Sequence, residues 1–281
     1  MLIQTAQRRN RKRLGARFGL CYLDAMSRLQ IHQIPVLSDN YVYLAHCAET
    51  GETAVVDPAV AAPVLQEAER LGWRITHILN THHHGDHVGG NLEIKQATGC
   101  RIIGPSYDTA RIPGIDLEVR EGDRVALGKA EAEVFFVPGH TRGHIAYWFA
   151  DSDALFCGDT LFALGCGRLF EGTPAQMWDS LQKLRRLPAS ARVYCAHEYT
   201  QSNARFALSI EGDHEKLRAR AADIDARRAR KEPTVPSLLG EEVETNPFLR
   251  ADDPALAQAL GLSNADPVEV FAEVRARKDS F

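Results

Sequence analysis

Residues 76–90 constrain this chain more than any other stretch, because they hold five of its eleven histidines. Apolar residues Ile75, Ile78 and Leu79 lead into His82-x-His84-x-Asp86-His87, and Gly85, Gly89 and Gly90 permit tight turns. The pattern predicts a strand that ends in a metal-binding loop. In an extended segment residues two apart point to one side, so His82 and His84 can grip one ion together. Asp86 and His87 lie beyond the Gly85 bend and face elsewhere. Four ligands split two and two suggest a pair of metal ions, completed by ligands from later in the chain.

Three later segments supply them. His140, in Gly139-His140-Thr141-x-Gly143-His144, follows an apolar run at 134–137; Asp159 follows 154–157; His197 follows 193–195. Ligands at successive strand ends can converge on one edge of a sheet. A solitary histidine after a strand is usually an ordinary loop residue, but four separated sites in a fixed order make that bland reading hard to sustain. His77 and His83 have the same residue type without the same pattern, and His83 is expected to pack or hydrogen-bond. His144 is expected to support the loop, while His32, His46 and His214 have no constellation around them.

The order of these motifs resembles the metallo-β-lactamase superfamily. Within it, several segments are more similar to glyoxalase II, the hydroxyacylglutathione hydrolases: Ser38-Asp39-Asn40-Tyr41, Gly158-Asp159-Thr160-Leu161-Phe162, Glu171-Gly172-Thr173, His197-Glu198-Tyr199-Thr200, Asn246-Pro247-Phe248-Leu249-Arg250 and Arg275-x-x-Lys278-Asp279. The resemblance runs from about residue 29 to residue 281. The first motif marks only the superfamily; the late ones are specific to glyoxalase II.

The resemblance implies an α/β (α+β) architecture, the αββα sandwich, with a helical C-terminal domain. It implies that His82, His84 and His140 hold one metal, that Asp86, His87 and His197 hold another, and that Asp159 bridges both. Nitrogen and carboxylate donors without thiolate suit zinc and also admit iron or manganese. The implied reaction is hydrolysis of S-2-hydroxyacylglutathione thioesters, S-lactoylglutathione to lactate and glutathione, by a metal-bridged hydroxide, the second step of methylglyoxal detoxification. Asp86 would orient the water or accept its proton. Glutathione would be bound by Arg168, Phe170, Tyr199, Arg275 and Lys278. Two of these depart from the family pattern. Arg168 stands where lysine is common, which changes donor geometry, and Phe170 stands where some members carry a tyrosine hydroxyl.

Two other readings compete. A mononuclear-iron persulfide dioxygenase of the same superfamily would not need the complete second ligand set. A non-catalytic metal-binding protein would tolerate loss of ligands, and none is lost.

Charge narrows the partners. Residues 1–30 carry seven Lys or Arg against one acid, which leaves −10 on the remainder. An acidic body argues against nucleic acid as the main partner and means that an anionic substrate needs a local basic patch. No apolar run reaches the length of a membrane span. Six cysteines without a C-x-x-C pair read as reduced thiols, so the expected setting is the cytoplasm; the expected state, a separate reading, is a monomer. The basic residues 1–27 read as a disordered extension, as sequence upstream of a start at Met26, or as a targeting arm.

The expected organisation is a catalytic domain at 28–199 and a helical glutathione-binding domain at 200–281. Within the first, helices are expected from Pro63 to Gly72 and over 91–98, with strands at 101–104, 117–119, 124–127, 131–137, 145–149 and 154–157. Beyond His197, helices are expected at 202–210, 213–231, 255–260 and 267–277, joined by a loop at 232–250, with no further strands.

Overall fold

The computed structural model describes residues 29–281, so the expected extension at 1–27 lies outside the described residues. Six strands form the first sheet in chain order: β1 Gln30–Val36, β2 Asn40–Cys47, β3 Glu52–Val56, β4 Arg74–Leu79, β5 Arg101–Pro105 and β6 Leu117–Val119. β1 to β3 pair antiparallel and β3 to β6 parallel. The parallel crossovers carry helices α1 Ala62–Leu71, α2 Gly85–Val88 and α3 Asn91–Thr98.

The second sheet contains β7 Arg124–Leu127, β8 Ala130–Phe136, β9 Ile145–Phe149 and β10 Ala154–Gly158. After the small hairpin β11 Leu161–Phe162 and β12 Gly165–Cys166 and the helix α4 Pro174–Arg185, strand β13 Arg192–Cys195 adds parallel to β10. The remaining chain forms α5 Thr200–Ile210, α6 Glu215–Ala229, strand β14 Ser237–Leu238, α7 Leu239–Thr245, α8 Pro254–Ala259 and α9 Pro267–Ser280.

Alternation along β2 shows why the layers form. Tyr43 and Ala45 enter the cluster between the sheets, while Val42 and Leu44 join a second cluster with Val64 and Ala68 of α1 and Ile94 of α3. A strand buried on both faces in this way needs a helix layer outside, which produces the sandwich. The cluster between the sheets extends past residue 199 through Phe206, Phe248, Val270 and Phe271.

Most expected elements form within a few residues of their expected limits. Three differences stand out. No signal used above marked α4, although Thr173 and Gln176 close a capping box at its start. The loop expected at 232–250 contains α7, because Glu242 is buried there and bonds Arg220 and the Leu164 amide. β14 is a strand beyond His197, where none was expected, pairing with β13.

Candidate metal centre and substrate cavity

One edge of the sandwich collects the ends of β3, β4, β8, β10 and β13. The two sheets are tied there: Ile145 N–H donates to Thr81 O at 2.9 Å and the Tyr147 hydroxyl to Asn80 O at 3.0 Å. Gly158, at φ 48°, lets β10 turn beneath Thr81, where a Cβ would overlap the Thr81 hydroxyl.

His82 Nε2 and His140 Nε2 lie 3.1 and 3.0 Å from His84 Nδ1. One ring nitrogen of His84 cannot be hydrogen-bonded satisfactorily to both, so three lone pairs converge on a point suited to a cation. Across from them, His197 Nε2 lies 3.4 Å from Asp86 Oδ2, and His87 Nε2 lies 3.7 Å from the same oxygen. Asp159 stands between the groups. Its Oδ2 is 3.4 Å from His140 Nε2, and its Oδ1 is 3.4 Å from both His87 Nε2 and His197 Nε2.

Charge follows the carboxylates. Burial and neighbouring imidazoles push His82 well below its ordinary pKa and His84 down to about 4. Burial also opposes a charge on His87, yet Asp159 and Asp57 outweigh it and raise that ring to about 9. Asp159 is shifted far down: burial opposes this, but His87, His197 and His140 prevail. The three-histidine group therefore keeps neutral rings with free lone pairs, whereas His87, beside the carboxylates, favours positive charge.

Two buried atoms, His87 Nε2 and Asp159 Oδ1, have no hydrogen-bond partner. Unpaired buried polar atoms are costly unless something coordinates them. Together with an all-nitrogen-and-carboxylate donor set, they fit divalent metal ions. Among the described residues the groups able to hold an ion are His82/His84/His140, Asp86/His87/His197 and Asp57/His82/His87. The third is better read as support, because Asp57 already accepts from Thr81 N and Thr81 Oγ1 at 2.7 Å and lies 3.1 Å from His87 Nδ1.

Other candidate ligand side chains are held similarly from behind. His197 Nδ1 is 2.8 Å from Asp39 Oδ1, His140 Nδ1 is 2.8 Å from Arg168 O, and Asn40 Nδ2 donates to Asp86 Oδ2 at 3.0 Å. His144 Nε2 accepts from Asp159 N–H at 3.1 Å, a supporting position. His83 is hydrogen-bonded to Asp108. Asp57 and Asp39 went unassigned above; both sit directly after strand-like or motif residues, which was the available signal.

A cavity of about 550 Å³ opens beside His140 and Asp159 and is also lined by Arg168, Phe170, Tyr199, Arg275 and Lys278. Every expected substrate contact therefore borders it. The Tyr199 ring stacks on His197 at 4.7 Å, and Phe170 sits edge-on to His140 at 5.2 Å. The cations differ in freedom. Arg275 is buried and committed to Cys166 O and Asp279, whereas Lys278 reaches Ser202 and lies over the Phe206 and Phe281 rings. Arg205, which sequence reasoning did not name, also lines the cavity.

Residues 36–197 match the metallo-beta-lactamase superfamily, and residues 198–281 match the hydroxyacylglutathione hydrolase C-terminus. A hydroxyacylglutathione hydrolase of Rhodospirillum rubrum is 65% identical over 256 residues, covering 91% of this chain and all of that protein. The chain belongs to the hydroxyacylglutathione hydrolase family. Another hydroxyacylglutathione hydrolase, from Methylococcus capsulatus, is 60% identical, covering 90% of this chain and 99% of its own. Among solved structures, ETHE1 from Myxococcus xanthus matches with a TM-score of 0.62 at 25% identity, covering 89% of this chain and 99% of its own. The much higher identity to hydroxyacylglutathione hydrolases disfavours the mononuclear-iron alternative. As a member of this hydrolase family the chain is an enzyme of the metallo-β-lactamase fold.

Proposed function

We propose that this chain hydrolyses S-2-hydroxyacylglutathione thioesters, with S-lactoylglutathione as substrate and lactate and glutathione as products, in the second step of methylglyoxal detoxification. The observation that carries the reading is one cavity bordered both by cations that suit the carboxylates of glutathione, Arg168 and Lys278, and by the ligand candidates His140 and Asp159.

In this reading His82, His84 and His140 would hold one divalent ion, Asp86, His87 and His197 would hold the other, and Asp159, which stands between the two groups, would serve both. Zinc is the proposed metal. Bound ions of this kind supply water of lowered pKa and a Lewis acid for the thioester oxygen. The protein's part is orientation and charge. Asp57 and Asp39 fix the rings of His87 and His197 from behind. Asp86, whose carboxylate Asn40 holds, takes the proton that the attacking water gives up. The carbon–sulfur bond breaks with its electron pair on sulfur, so glutathione leaves as a thiolate, and because the conjugate thiol has a pKa of about 8.5 this needs no dedicated acid. Tyr199, Phe170, Arg168, Arg275 and Lys278 hold the glutathione part away from the reacting carbonyl.

Both parts of the chain take part: residues 28–199 would carry the metals together with Arg168, Phe170 and Tyr199, and residues 200–281 add Arg275 and Lys278 to the glutathione contacts. Among the described residues no helix is long and apolar enough to cross a membrane. We place the enzyme in the cytoplasm as a monomer, with no nucleic-acid partner. Loss of thioester absorbance on adding purified, metal-loaded protein to S-lactoylglutathione tests the reading. Turnover no faster than in buffer overturns it.

A further inference from the structure

We propose that Arg111 and Glu171 form a clamp that positions His140 against His82 and His84, so that breaking the pair loosens metal in the three-histidine set and spares the other. The inference rests on the two-ion reading above and adds residues to which that reading gives no role.

The clamp joins four segments. Arg111 closes the 3-10 turn Ser106–Arg111 that follows β5. Its Nε donates to Asp108 Oδ1 at 3.0 Å, and its Nη1 donates to His83 Nε2 at 3.0 Å and to Glu171 Oε1 at 2.5 Å. Because His83 Nε2 accepts, its Nδ1 carries the proton and donates to Asp108 Oδ2 at 3.1 Å. His83 is thus held from both nitrogens, between the two ligands His82 and His84.

Glu171 carries the clamp to His140. Its Oε2 accepts from Arg142 N–H at 2.8 Å, two residues beyond the ligand. On the same strap Phe170 N–H donates to His140 O at 3.3 Å, Arg168 O accepts from His140 Nδ1 at 2.8 Å, and Gly172 N–H donates to Gly139 O at 3.0 Å. The strap and the 139–142 loop therefore move as one piece. Gly143 completes the fit, since a Cβ there would overlap the Asp108 carboxylate. Asp108 is fully buried, so its charge depends on Arg111 and His83.

The other ligand set is supported by different residues. Asp57 backs His87, Asn40 holds Asp86 and Asp39 backs His197. None of these bonds involves Arg111, Asp108 or Glu171, which is why the effect should be confined to one ion.

Metal-free full-length protein titrated with cobalt(II) against a competing chelator tests this. Wild type should take up about two equivalents. Glu171→Gln keeps the side-chain shape and should weaken one equivalent about 10- to 100-fold, leaving the other nearly unchanged. Arg111→Lys keeps the charge, loses the fork and should weaken the same equivalent to a smaller degree. In the His140→Ala background Glu171→Gln should add little, whereas in the Asp86→Ala background it should retain its effect. Equal weakening of both equivalents, no weakening in either single variant, or a full effect on top of His140→Ala overturns the clamp while leaving the two-ion reading intact. A wild type that binds fewer than two ions overturns that reading, and the clamp with it.

Discussion

His87 Nε2 and Asp159 Oδ1 face each other at 3.4 Å in the interior, and neither has a hydrogen-bond partner. A nitrogen pointed at a carboxylate oxygen would ordinarily be satisfied by one proton between them. Here His197 Nε2 lies at the same distance from that oxygen, and Asp86 Oδ2 approaches both imidazoles. Several donors around one point are better satisfied by a cation than by a proton.

Asp159→Ala removes the carboxylate that stands between the two proposed ligand sets. Bound metal should fall from about two per chain to below one, and turnover of S-lactoylglutathione should drop by at least about 100-fold. Elemental analysis of purified protein, set beside the thioester assay, measures both. Retention of full metal and full rate would remove Asp159 from the bridging role.

Asp57→Asn tests support from behind the ligands. The carboxylate meets two donors from Thr81 and the Nδ1 side of His87, and an amide cannot accept at both of its ends. Metal affinity should fall about 10- to 100-fold. Chelator competition reads this, and unchanged affinity would show that His87 needs no carboxylate behind it.

The two C-terminal cations should separate when mutated individually. Arg275→Ala strands the buried Cys166 carbonyl and removes the ion pair with Asp279, so urea unfolding should show a loss of about 1–3 kcal/mol. Lys278→Ala should instead raise KM with little change in kcat. Burial, with Arg275 and Arg168 nearby, lowers the Lys278 pKa to about 8. Its ammonium is present below that pH and lost above it, so KM should climb between pH 7 and 9 in wild type and stay flat through that range in the Lys278→Ala variant. A wild-type KM independent of pH would separate Lys278 from glutathione binding.

Glu171 makes an acid-sensitive contribution to stability. The Arg111 hydrogen bond lowers its pKa from 4.5 to about 2, against burial. The folded state then binds fewer protons than the unfolded chain between those values, so the contribution is complete above pH 4.5 and disappears as pH falls through 2. Denaturation of metal-free protein at pH 6 and pH 3 should show a smaller acid-induced loss for Glu171→Gln than for wild type. Identical losses would mean that the contact persists in the unfolded chain.

Much of this was legible in residue order. The alternating and apolar runs located β4, β8, β10 and β13, because strand periodicity and burial leave direct marks on a sequence. Helix α3 forms over the expected residues 91–98, and Gly99, at φ 72°, closes its C-terminal turn. Helix α4 carries only local marks, the Thr173/Gln176 capping box and a face of Met177, Trp178, Leu181 and Leu184 among polar residues, and these lie between two motifs that dominate the pattern. Helix α7 was harder to see, since its buried anchor Glu242 bonds a residue 22 positions away and an amide 78 positions away.

By itself the sequence determined the inventory: seven metal-ligand candidates at strand ends, a helical C-terminal region, and the motifs that mark this hydrolase family. Those are properties of residue type and local spacing. The tertiary structure decided which oxygen of Asp159 faces which histidines, that Asp57 and Asp39 stand behind His87 and His197, that Arg275 is committed to the fold while Lys278 is less so, and that Arg111 reaches both His83 and Glu171. Each of these depends on groups far apart in the chain meeting within a few ångströms, and that distance is set by sheet packing and loop paths, which local spacing does not encode.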